Sequence, residues 1–281
     1  MLDRLLLPAL AGGALIGTAL LRAAGAPVAW ACVSVPVGAL AATAAILERL
    51  RPERPDYRQL DLPLRVETAH FFLNYQFGYA LALALCTALG SQLEASRVPA
   101  LWPARLPIGV QIVLAILATE GISYWQHRLF HRVPRLWRFH ALHHRGERLN
   151  LVRAGRFHFV DVGAGALFLF VPLVLLRAPE GILVWTAATQ GAFGVLQHAN
   201  IRMRTPSWLD GVICTPAVHR YHHSRIAGES DANFGTTVML FDRLFRTYVR
   251  PAAPGPEAVG VENDPLPSGF WRQVVGPFQG A

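Results

Sequence analysis

Lysine is absent from this chain of 281 residues: all 26 basic residues are arginine, set against 18 acidic ones for a formal net charge of +8. Charge of either sign is scarce, at 16% of residues, while 53% are hydrophobic. So small a polar share argues against a water-soluble globular chain and for a membrane protein. The missing lysine carries no mechanistic content. A basic balance also suits nucleic-acid binders, but these arginines fall between long apolar runs, as the positive-inside rule expects of a bilayer protein, so nucleic acid is set aside as a partner. Cysteine is nearly as rare. Cys32, Cys86 and Cys214 are scattered, two of them inside apolar runs, which leaves no disulfide framework and no cysteine metal site. The chain has no iron–sulfur cluster or haem-attachment pair of its own, so any electrons it uses come from elsewhere. An HExxH pair is also missing, so a zinc-protease arrangement has no support.

Long apolar runs are what the chain has instead. Residues 5–21 and 28–47 are each about the length that crosses a hydrocarbon core of roughly 30 Å, and they read as a helical hairpin. The first resembles a cleaved signal peptide, with Arg4 before it and AAGA after it, but the second run follows at once and favours a retained span. The Arg- and Pro-rich stretch 48–67 reads as a cytoplasmic loop. Residues 69–90 cross outward and 106–125 cross back. Residues 160–176 and 181–197 form a second apolar pair at the short limit for a span, which crosses thinly or enters and returns. In either case the pair starts and ends on the cytoplasmic side. After Arg250 the chain turns rich in Pro, Gly and Ala and reads as a loosely ordered tail. The expected architecture is an all-α, polytopic integral membrane bundle with a cytoplasmic histidine-rich helical cap, divided into a hairpin and loop (1–67), a catalytic unit (68–250) and a tail (251–281).

Eight of the eleven histidines fall in three knots: His127 and His131; His140, His143 and His144; His219, His222 and His223. Residues three or four apart share a helix face, so each knot can aim two or three imidazoles at one point. Eight imidazoles exceed what one zinc needs, which implies two metals. Imidazole suits zinc, copper, iron and nickel alike, so ligand type does not name the metal. Pro134 should break the helix of the first knot from that of the second. A divalent-metal transporter would also combine spans with histidines, but its ligands belong near the membrane midplane, whereas these cluster at the inner ends of the spans. Zinc-dependent lipid hydrolysis lacks a recognisable nucleophile or base.

The ordered series EGISYWQHRLFH (120–131), LWRFHALHH (136–144), QHAN (197–200), TPAVHRYHHS (215–224), NFG (233–235) and FDRLFRTY (241–248) resembles the fatty acid hydroxylase and sterol desaturase superfamily of membrane-bound histidine-rich oxygenases. The resemblance implies two iron ions (with zinc possible as isolated), O2 as co-substrate, and hydroxylation or desaturation of a C–H bond in a fatty acyl, sterol or related lipid drawn from the bilayer. It implies a separate electron donor, a ferredoxin or cytochrome with its reductase. Carried over residue by residue, His127, His131, His140, His143, His144, His219, His222 and His223 are expected as metal ligands that carry the catalysis, with His198 as a ninth. Gly194 stands where some members have a further histidine, and Phe241 and Arg246 stand where the closing motif usually has Trp and Gly. Glu120, two helical turns before His127 on the same face, is expected to hydrogen-bond a ligating imidazole and fix its tautomer, and Asp161 and Asn233 could serve likewise. His158 is expected to be structural or to back a ligand, and His70 to lie at the membrane interface. Arg156 and Arg220 are candidates for lipid headgroups.

Overall fold

A computed structural model describes residues 2–26, 31–252, 255–263 and 267–279. Among them the regular structure is helical; three isolated bridges replace any strand. Two helices, α1 (Leu2–Ala23) and α2 (Ala31–Leu50), form the amino-terminal hairpin. The expected start of the second run, residues 28–30, lies outside the described residues. A short helix α3 (Leu64–Ala69), one wide π-helical turn (His70–Tyr75) and α4 (Gln76–Ala95) join into a single rod of 32 residues. Then come α5 (Ile108–Arg132), α6 (Pro134–His144), α7 (Phe159–Leu175) and α8 (Glu180–His198). Smaller helices complete the cap: α9 (Ser207–Asp210), α10 (Pro216–His222), α11 (Ala227–Ser230), α12 (Leu240–Leu244) and α13 (Phe270–Val275).

Four rods, Leu2–Ala23, Ala31–Leu50, Leu64–Ala95 and Ile108–Arg132, are long and apolar enough to cross a membrane. The protein is an integral membrane protein. Three of these rods are longer than the apolar runs read from sequence, because a helix continues past its lipid-facing stretch wherever backbone bonds and propensity allow. The continuation of α5 carries His127 and His131. It stops where a residue before proline is pushed out of the helical region: Val133 lies at φ −98°, ψ 112°, and Pro134 opens α6.

The bundle is held by small-residue contacts along its length. Leu7 and Ala14 of α1 and Leu40 of α2 pack on Ala192 and Leu196 of α8. Ala82 and Cys86 of α4 meet Ala166, Leu169 and Phe170 of α7. At Gly78 the two backbones approach so closely that a Cβ would sit 2.5 Å from the Phe159 carbonyl oxygen. The tip of the α7–α8 hairpin reaches the far end of the bundle, where Leu101 and Trp102 donate to the Leu176 carbonyl and Arg177 donates to Val98. That pair therefore runs the bundle's full length instead of turning back partway.

The tail departs from the expectation of loose order. Gly260 donates to the His223 carbonyl and Arg225 to the Ala258 carbonyl. Further on, the buried Gln273 of α13 bonds His70, and Phe278 packs on Phe139 and His158. Proline and glycine fix these turns while Val259, Gln273 and Pro277 supply the burial.

Candidate metal centre

Nine histidines converge in the cap, in two groups. His127, His131, His140, His144 and His222 form one; His143, His198, His219 and His223 form the other, and in each group one ligand atom per residue lies within 4.8 Å of all the rest. The knots do not each aim at one point. On a helix turning about 100° per residue, the fourth neighbour returns to within about 40° while the third lies about 60° to the other side. So the i, i+4 pairs His127 and His131, His140 and His144, and His219 and His223 each stay within a group. The i+3 members His143 and His222 cross to the other, which interlocks α6 with α10. His198, last residue of α8, completes the second group.

The outer nitrogens explain what the inner ones are free to do. His127 Nδ1 bonds the Phe234 carbonyl at 2.8 Å, His222 Nδ1 the Ala232 carbonyl at 2.8 Å, and His198 Nδ1 the Gly194 carbonyl at 2.8 Å. His140 Nδ1 meets Asp161 Oδ2 at 2.7 Å. An acceptor at Nδ1 requires its proton there and leaves Nε2 as a lone pair. Yet His127 Nε2 and His140 Nε2 face each other at 3.1 Å, and His198 Nε2 stands 3.0 Å from His143 Nε2 and 2.9 Å from His219 Nε2. For His127 and His140, whose Nδ1 atoms both face acceptors, that contact sets two lone pairs against each other, which repel. The Nε2 atoms of His131 and His222 are buried with no hydrogen-bond partner among the described residues. A cation would serve all these atoms as a common partner: with metal–nitrogen bonds of about 2.1 Å, two ligands at right angles sit about 3.0 Å apart. The donor set fits a metal in each group.

Burial supports the same state. Eight of the nine imidazoles are buried and His131 is half-buried. Burial pushes His222 down to about 3 and holds His143, His144, His219 and His223 well below the usual histidine range. They stay neutral and able to ligate. Phe157 stacks flat on His143 at 3.8 Å, and Trp137 and Phe234 flank His131 at 5.1 and 5.3 Å.

Of the three residues expected behind the ligands, Asp161 alone is seen against an imidazole. Glu120 is buried as an intramembrane acid must be, but it accepts from the backbone N–H groups of Thr236 and Thr237 and from the Thr236 hydroxyl, with Gln190 beside it. It steadies the loop that presents the Phe234 carbonyl to His127, and so reaches the ligand through the backbone. Asn233, at φ 55°, clips that loop to Val249 through both its amide atoms. His70, expected at the membrane interface, turns inward to the protein. It is wholly buried between Asn74 and Gln273. His158 caps α7 and meets the Val274 carbonyl. Arg156 is taken up by Glu67, Asp61 and the Arg145 carbonyl, which removes it as a headgroup ligand. Arg220 is buried as well.

Two residues escaped the sequence reading. Arg153, fully buried and pushed down to about 9 by that burial, donates to the carbonyls of His143, His144, Gly146 and Arg148. It thereby satisfies the free carbonyls at the end of α6. Asp242 accepts from the N–H groups of Phe234 and Gly235 and from the Thr247 hydroxyl. A lone Arg in an Arg-rich loop and a lone Asp in a polar one carry no spacing signal.

Spans capped by two interlocked histidine groups define a membrane metalloprotein. The fatty acid hydroxylase family profile matches residues 112–247. The ornithine lipid hydroxylase OlsE of Rhizobium tropici is 35% identical over 240 residues, covering 83% of this chain and 72% of that protein. The alkylglycerol monooxygenase of Xenopus tropicalis is 30% identical over 139 residues, 48% of this chain and 30% of that one. The fatty acid hydroxylase vlmA of a Lecanicillium species is 30% identical over 154 residues, 50% and 42%. No solved structure matches. The chain belongs to the fatty acid hydroxylase family.

Proposed function

We propose that this protein hydroxylates a C–H bond of a membrane lipid at a centre of two iron ions, with the overall balance R–H + O2 + 2 e− + 2 H+ → R–OH + H2O. The observation that carries the reading is the pair of histidine groups whose inner Nε2 atoms face one another while carbonyls and Asp161 hold the outer nitrogens. His127, His131, His140, His144 and His222 would hold one ion and His143, His198, His219 and His223 the other, all from within the unit 68–250. When bound, the irons supply the dioxygen chemistry that an unactivated C–H bond requires. The protein's own part is to fix ligand tautomers, to keep the imidazoles neutral by burial, and to exclude water with Phe157, Trp137 and Phe234.

An apolar groove of about 470 Å³ supports a bilayer substrate. Gly121, Ile122, Trp125, Phe168, Phe241 and Phe245 line it, and Gln126, also in its wall, immediately precedes His127. An acyl chain lying there would approach the centre from the bilayer. An aminolipid acyl chain, as the name of the R. tropici relative suggests, is the first substrate to try. The arginine-rich segments that flank the histidines favour a cytoplasmic site, with a ferredoxin or cytochrome and its reductase as electron donor.

The test compares lipid extracts from cells with and without the protein by mass spectrometry. A gain of one oxygen that requires iron and O2 is expected. A loss of two hydrogens would make it a desaturase instead. His143→Ala should abolish the product while the protein still inserts in the membrane, and an active His143→Ala variant would refute the centre.

A further inference from the structure

Away from the histidines, α12 lies along the side of α5. The Phe241 ring covers Gly121, where a Cβ would meet Cζ at 2.7 Å, and Phe245 packs on Trp125 with centroids 4.8 Å apart. Both contacts fall within a membrane-length helix. One position round from these rings, Leu240 and Leu244 are 49% and 64% exposed, and Trp208 on α9 is 68% exposed. A short helix that shows leucines outward with a tryptophan beside it has the pattern of a helix lying at a headgroup layer.

Between α9 and α12 opens a groove of about 580 Å³ with Trp208, Tyr248, Arg243, Arg246 and Arg250 in its walls. None of the three arginines forms an ion pair among the described residues. Arg243 is partly committed, since it donates to the Gly211 carbonyl at 3.2 Å and lies over the Tyr248 ring. Arg246 and Arg250 are exposed. Arg246 also stands at φ +59°, in the left-handed region where glycine would sit without strain. A long cationic side chain kept at such a position points to a use for the side chain.

We propose that this groove binds the headgroup of an anionic phospholipid, with phosphate oxygens on Arg246 and Arg250 and acyl chains along Leu240, Leu244 and Trp208. Guanidiniums without an ion-pair partner among the described residues, next to exposed apolar residues, match the two halves of such a lipid. The site would communicate with the metal centre. Asp242, in the same groove, holds the N–H groups of Phe234 and Gly235, and the Phe234 carbonyl holds His127. This inference requires that the protein be membrane-embedded and does not depend on the hydroxylase reading.

The full-length protein, purified in neutral detergent and equilibrated with equal amounts of phosphatidylglycerol and phosphatidylcholine, should retain the anionic lipid selectively in native mass spectrometry. Removing both free guanidiniums with R246G and R250Q should weaken that retention by about 30-fold, while R246K with R250K should largely restore it. R246G alone should not lower the melting temperature, since it relieves the backbone. Raised salt should weaken retention by the unaltered protein, which tests the proposal even if the double variant fails to fold. Equal retention of both lipids, salt-insensitive retention, or unchanged retention by a folded double variant would each overturn the proposal. So would displacement of the lipid by excess inorganic phosphate, because the groove would then be a free-anion site. No turnover is measured, so the result stands apart from the fate of the hydroxylase reading.

Discussion

Asp161 shows how much one side chain decides at this centre. It meets His140 Nδ1 at 2.7 Å from the first turn of α7, and His140 Nε2 in turn lies 3.1 Å from both His127 and His144. Replacing the carboxylate with an amide keeps the shape but removes the charge that fixes the tautomer and raises ligand basicity. Asp161→Asn should therefore weaken metal affinity by about 10–100-fold, read as iron lost to a chelator in competition, with the membrane-inserted yield unchanged. Glu120→Gln should behave differently, because Glu120 grips the backbone of Thr236 and Thr237 and touches no imidazole among its hydrogen-bond partners. Its expected signature is a lower melting temperature accompanied by a smaller loss of iron. Iron loss from Glu120→Gln as severe as from Asp161→Asn would mean that the loop and the ligand cannot be separated.

Elements set where these side chains stand. The N-terminus of α7 carries Phe159, whose carbonyl oxygen lies against Gly78 of α4, and Asp161 sits half a turn further on. A Cβ at Gly78 would lie 2.5 Å from that oxygen, and backbone cannot rotate aside as a side chain can. Gly78→Ala should thus cost about 1–3 kcal/mol as an overpacked contact, seen as a lower melting temperature in detergent. It should also release iron, since α7 can yield only by shifting Asp161. A destabilised Gly78→Ala protein with full iron content would show that α7 moves without carrying Asp161 off His140. Such a contact is invisible in sequence, where Gly78 is one small residue in an apolar run, whereas Pro134 announced the break between α5 and α6 through its own geometry.

At the scale of the whole molecule, legibility follows the range of the interaction. The spans, the proline break and the histidine knots are local patterns, and the all-helical bundle follows from them. The partition of the knots needed the helical angle applied one residue at a time, and it binds α6 to α10 across the cap. The docking of the tail and the burial of His70 depend on partners far away in the chain, and Arg153 folds back across a short irregular loop onto the carbonyls that end α6; no spacing encodes either. Those same burials make the cap sensitive to acid. In the metal-free folded state His143, His144, His219 and His223 lie well below the usual histidine range and His222 near about 3, whereas in the unfolded chain they take up protons near pH 6.5. Between those limits the unfolded state binds more protons, so stability rises with pH. It is fully present above about pH 6.5 and is lost as the pH falls below that value. The metal-free protein should melt at progressively lower temperature from pH 7 to pH 5. Iron-loaded protein should resist until protons displace the metal, and then lose iron and fold together. A melting temperature independent of pH in the metal-free protein would mean that the histidine groups open to water before the bundle unfolds.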